Sequence, residues 1–330
     1  MIPLKSRFRA VIPLLTSFVL IFSCTANLNI QAVNKFENYH FKTETPLVSR
    51  IAAPPDFVLT YLKKLDNKTD YTPYLPTNDE IRIAGKSLQN LPYLNNSILK
   101  NRLIGIYFID NFMGNGLCDW VLDRQGTVYF FIVINSRVFK KNITELLTEK
   151  ERTCYKNDTP DIEIKIDCGK QFNGFQYIIL HESTHAVDYV LNVTPYVDEN
   201  FRKAKRISAD ETEFTKGIWT KSGDINGEYK FNHKVSFYGL SPQKLNVSDS
   251  QNIYMDLSRS PFITLYSTLA WPEDLAEMVT FYHLTHKLNQ PFHILVYNKG
   301  KKIISLDPLE FTEVRKRLPF LRRFYEHLQP

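Results

Sequence analysis

His181-Glu182-Ser183-Thr184-His185 is the stretch of this chain whose residue types and spacing most directly suggest chemistry. On a helix, two histidines four apart lie one turn apart on one face, so both imidazoles can reach a single cation. Glu182 then points at the water such a cation would hold. The chain's own His and Glu content would produce roughly 0.01 such HExxH matches by chance. YIIL precedes the motif and AVDYVL follows it, so polar side chains interrupt an otherwise apolar helix. Burying two histidines and a glutamate without a partner would be costly.

Two imidazoles suit Zn2+, and a catalytic zinc takes three protein ligands and keeps one position for water. Glu273 and Glu277, in Trp271-Pro272-Glu273-Asp274-Leu275-Ala276-Glu277, also stand one turn apart on one face. One carboxylate can bind the metal while the other accepts the spare N–H of a ligating histidine. Asp188, one turn beyond His185, either orients a ligand or fills a packing gap. His283 and His286 stand roughly 80° and 140° around an ideal helix from Glu273, which favours a solvated face over the metal for both. Tyr238, in SFYGLS, reads as a packed loop tyrosine.

These residues need elements to carry them. Gln176 to Leu191 is long and dense enough to be a buried helix after the Asn173-Gly174 breaker. Pro272 opens a second helix, PEDLAEMVTFYHLTHKL, with Glu273 and Asp274 at the positive end of its dipole. LIGIYFID, DWVLD and GTVYFFIVIN are rich in Val, Ile, Tyr and Phe and separated by Gly-containing turns. They predict an antiparallel sheet over about residues 103 to 135, with GTVYFFIVIN at or near its edge beside the cleft. Phe57–Leu65 and Leu88–Leu103 suit short helices, HILVYN and KKIISL suit strands, and a terminal helix is expected from about Leu309 to His327.

On the HESTH helix and the Glu-x-x-x-Glu helix the sequence resembles the gluzincin metallopeptidases, and more closely the anthrax lethal factor group. In that group a tyrosine lies seven positions before the first glutamate, and Tyr266 occupies that place. The resemblance covers about a third of the chain, from HESTH to LTHKL. It implies an α+β, zincin-like domain with His181, His185 and Glu273 as metal ligands. Glu277 would stand behind a ligand, Glu182 would be the general base, and Tyr266 would donate to the oxyanion.

The N-terminus reads as an address. Lys5, Arg7 and Arg9 precede an uncharged apolar run from Val11 to Phe22, the architecture of a signal peptide over residues 1 to 23. Twelve such positions are too few to cross a bilayer, which takes about 20 residues. Ile21-Phe22-Ser23-Cys24 resembles the lipobox of bacterial lipoproteins, in which the cysteine carries acyl chains; the alternative is a cut near Ala26. A lipidated Cys24 and a tether to about residue 50 would hold a catalytic domain of residues 51 to 330 at a membrane surface. Of the other cysteines, Cys154 and Cys168 flank a polar segment, and a disulfide closing that loop would suit an exported chain.

The 330 residues are 43% hydrophobic and 23% charged, the composition of a globular protein. The net charge of +6 falls to +3 without Lys5, Arg7 and Arg9, and no basic run interleaves with aromatics, so nucleic acid is not an expected partner. The combined expectation is an exported, lipid-anchored zinc metallopeptidase acting on a peptide or protein. Its rivals are a non-catalytic surface binding lipoprotein on the same scaffold, and a zinc hydrolase of a non-peptide amide.

Overall fold

The computed structural model describes residues 31–326. The signal-peptide and Cys24 readings lie outside the described residues. Among those residues no helix is long and apolar enough to cross a membrane.

The main sheet is built from β1 (Ile51–Ala52), β2 (Thr72–Tyr74), β3 (Leu103–Asp110), β4 (Gly116–Leu122) and β5 (Val128–Asn135). Its order is β1-β3-β5-β4, with β2 paired beside β3. β3 and β5 are buried along nearly their whole length. Ile106, Phe108, Phe130, Ile132 and Ile134 face one core, while Ile109, Phe131 and Val133 face another on the opposite side. This is the period-two alternation of a strand covered on both faces.

One sequence expectation needs correction here. The segment 103–135 is not purely antiparallel, because β3 runs parallel to β5 and only β4 is antiparallel to it. GTVYFFIVIN lies near the edge but not at it, since β5 sits one strand in, between β3 and β4. A strand so continuously apolar can only be stable where both faces are covered, whereas β4 carries Asp119 and takes the rim. The short loop 111–115 crosses the end of β5, where Asn135 Nδ2 donates to the carbonyls of Phe112 (2.6 Å) and Gly114 (3.2 Å).

Helices α1 (Asp56–Leu65), α2 (Asn78–Gln89), α3 (Tyr93–Arg102), α4 (Ile143–Arg152) and α5 (Gly174–Leu191) precede a long helix Trp271–His286, here called the glutamate helix. α5 is buried from Gly174 to Tyr189, because β4, β5, α2, α3, α4 and the glutamate helix surround it. A helix apolar on all sides must be central. Asn173 caps its start by accepting from Phe175 N–H, and Asn192, with φ +49°, ends it in the left-handed conformation.

Ile162–Asp167, His293–Asn298 and Lys301–Leu306 form a separate antiparallel sheet. The expected terminal helix is absent from the described residues, where short 3-10 turns and Thr312–Arg315 occupy Pro308–Phe324. From residue 31 the segment read as a tether is fixed to the sheet: Val33 and Tyr39 are buried. Asn34 Nδ2 donates to Trp120 O at 2.8 Å, and Lys35 bridges to Leu122 in parallel. Cys154 and Cys168 are buried free thiols, so the expected disulfide is not formed.

Candidate active site

α5 turns His181 and His185 toward the glutamate helix, which supplies Glu273 and Glu277, and turns Glu182 toward β4. His181 Nε2 lies 3.2 Å from His185 Nε2 and 3.0 Å from Glu273 Oε2, and His185 Nε2 lies 3.6 Å from that same oxygen. Two imidazole nitrogens facing one another beside a carboxylate oxygen make poor mutual hydrogen bonds. They make a good cation cage: tetrahedral ligands at about 2.1 Å from zinc stand about 3.4 Å from one another. These three are the group of His, Cys, Asp and Glu among the described residues that could hold a metal ion. The donor set and its spacing fit zinc.

Glu277 does not reach that point. Its Oε1 lies 3.1 Å from His181 Nδ1, close but without the alignment of a straight hydrogen bond. Tyr177 donates to Oε1, and Thr264 Oγ1 donates to Oε2 at 2.8 Å. Glu277 therefore stands behind His181 rather than at the cage. Burial alone would lower His181, but its close contacts with the Glu273 and Glu277 carboxylates and the charges of Glu273 and Glu182 outweigh it and push the imidazole up to about 10.

Glu182 is buried under the rim of β4, which raises its carboxyl against the pull of both histidines. Gly116 makes this approach possible: a Cβ there would lie 2.5 Å from Glu182 Oε1. Asn135 N–H donates to Asn115 O, so by alternation residues 117, 119 and 121 bond to β5 and residues 116, 118 and 120 point outward. Trp120 O is taken by Asn34. On that alternation the N–H and C=O of Gly116 and Cys118 face away from β5.

A cleft of about 170 Å³ opens between this edge and His181, with Phe112, Met113, Leu117, Ile178, Tyr238 and Tyr266 among its walls. Tyr266 packs its ring 5.8 Å from that of His181. Tyr238 also borders the cleft: its backbone is left-handed at φ +56°, and its hydroxyl accepts from Asn115 Nδ2 at 3.1 Å.

Other candidates are placed elsewhere. Asp188 accepts from Thr194 N–H (2.7 Å) and Oγ1 (2.5 Å), closing the turn after α5. His283 is buried rather than solvated, with Nε2 2.6 Å from Asn90 O, and burial lowers it to about 4. His286 is exposed and stacks on Tyr282. Sequence reasoning missed Lys150, whose Nζ lies 2.8 Å from Tyr177 Oη and 3.4 Å from Glu277 Oε1. It also missed Gly116, although a glycine opening a strand marks a place of close approach.

No protein-family model, curated protein or solved structure matches this sequence.

Proposed function

We propose that this chain is a zinc-dependent peptidase with a zincin-like domain, exported and lipid-anchored through Cys24. One observation carries the reading: three ligand atoms 3.0 to 3.6 Å apart, with Glu182 from the same helix under an open sheet edge.

His181, His185 and Glu273 would hold the metal, which when bound supplies a Lewis acid and lowers the pKa of its water toward ~7. Glu182 accepts the proton of the attacking water and delivers it to the leaving amine. Burial of this carboxylate, by raising its affinity for a proton, suits it to hold one between the two transfers. Gly116 and Cys118 pair their outward N–H and C=O groups with an extended peptide, which sets the scissile bond beside Glu182. Glu277 fixes the ring of His181. Tyr266, bordering the cleft, donates to the developing oxyanion, a role worth on the order of 10²-fold or more in other enzymes.

The test is metal analysis of purified residues 25 to 330 together with digestion of a peptide library. One zinc per chain and cleavage at defined bonds are expected. A protein that binds no zinc at neutral pH refutes the metal site. One that holds zinc and cleaves nothing favours the binding-lipoprotein reading.

A further inference from the structure

Lys150 puts a positive charge in the floor of the cleft that none of the steps above uses. It sits in α4 with a side chain 5% exposed, between the cleft and a small cavity behind it. Taking an ammonium out of water costs several kcal/mol, so the groups that receive it must compensate. A methionine would fill a similar volume without that cost, which leaves the charge itself to be explained.

Its surroundings explain it. Tyr177 Oη at 2.8 Å and Glu277 Oε1 at 3.4 Å take two of its hydrogens. Nζ also sits 3.4 Å from the centroid of the Tyr266 ring, well inside the range of a cation–π contact. Phe237 meets the same tyrosine edge-on at 4.9 Å. The ammonium thus touches both the carboxylate behind His181 and the tyrosine beside it. These two groups lie eleven residues apart in sequence, one in the glutamate helix and one in the turn before it.

We propose that Lys150 is a positioning residue of this site, whose one charge holds Glu277 behind His181 and seats the Tyr266 ring at the cleft. The inference rests on the metal-site reading above and extends it to a residue that is not among the metal ligands. A Lys150 that acts in this way affects zinc affinity through Glu277 and turnover through Tyr266. A lysine serving only to stabilise the fold would affect neither selectively.

The experiment compares Lys150→Met, Lys150→Gln and Lys150→Arg in the purified protein, each checked by circular dichroism and thermal melting. Glutamine keeps a donor for Tyr177 without the charge, so it substitutes for methionine if that variant does not fold. Zinc affinity is read by chelator competition, and kcat and KM on a library-derived peptide at zinc saturation. Loss of the charge is expected to weaken zinc about 10- to 100-fold, the range for groups that orient a ligand. It should also lower kcat about 10-fold with KM changed less than about 3-fold, with partial recovery in Lys150→Arg. In a Tyr266→Phe background the kcat loss should shrink to under about 3-fold, since the hydroxyl being seated is gone. Unchanged zinc affinity in a folded Lys150→Met or Lys150→Gln protein overturns the proposal, as does an undiminished kcat loss in the Tyr266→Phe background. A wild-type protein that binds zinc but cleaves nothing refutes the peptidase reading alone, and the affinity comparison still decides Lys150.

Discussion

Replacing Gly116 by alanine adds one methyl group and tests the active-site geometry at its tightest point. The new Cβ would stand 2.5 Å from Glu182 Oε1, 2.9 Å from Glu182 Cγ and 2.7 Å from Ile178 Cγ2. Ordinary contact begins near 3.4 Å, so β4 must recede from α5, or the Glu182 carboxylate must move, by about 0.9 Å. A displacement of about 1 Å in a catalytic group can cost on the order of 10²-fold in rate. Overpacking of this kind costs about 1–3 kcal/mol of stability, which a folded domain survives. The three atoms nearest the added methyl belong to Glu182 and Ile178 and none to a metal-ligand side chain, so zinc should remain bound. The expected Gly116→Ala protein therefore folds, holds one zinc and turns over about 10²-fold more slowly. Stopped-time digests of a library-derived peptide, with zinc analysis and a thermal melt on the same preparation, measure all three. Wild-type kcat in a folded, zinc-loaded variant would show that Glu182 is not the base, or that β4 does not form the wall of the reacting site.

Glu182→Gln should keep zinc and lose at least about 10²-fold in turnover, because an amide cannot accept the water's proton; retained activity removes Glu182 from its role. Glu273→Ala should abolish tight zinc binding with little effect on the metal-free fold. Glu277→Ala should weaken zinc less but lower the melting temperature more, because it strands the buried Lys150 charge. Chelator titrations and melts in which the two variants exchange these profiles would reverse their assignments. Burial, with Asp198 nearby, pushes the Asp119 carboxyl up to about 7, against ~3.9 unfolded. The proton it retains favours the folded state below about pH 4, and that contribution is lost as pH rises to about 7. The Asp119→Asn protein should therefore gain on wild type across that window and hold a constant difference above it; parallel melting curves from pH 4 to 8 would count against this. Cys24→Ser should free the protein from membranes, and retention after a high-salt wash would place the anchor elsewhere.

The two helices bearing the motif residues were legible because their signals are local. HESTH stands in an apolar run, a breaker precedes it, and proline opens the glutamate helix close to its observed start at Trp271. The sheet was legible as strands but not as an order, since pairing joins β3 to β5 across the whole of β4. The unbroken apolar run of β5 did hold the information that it is central. Lys150 gave no signal, because ITELLTEKER reads as an ordinary solvated helix until Glu277 and Tyr266 arrive from over a hundred residues away. The cysteine reading failed because two buried apolar surroundings suit free thiols as well as a bridge.

The contact of Asn34 and Lys35 with the outer end of β4 bears on how much of this edge another chain could pair with. A bare edge strand invites pairing with the edge of another copy and is a route to aggregation. With Trp120 and Leu122 covered, the unpaired stretch among the described residues shrinks to Gly116 through Cys118, about 7 Å along the strand, shorter than a typical strand of five or six residues. An opening of that size can receive a flexible chain inserted beside Glu182. It gives the rigid edge of a second molecule too short a register to hold.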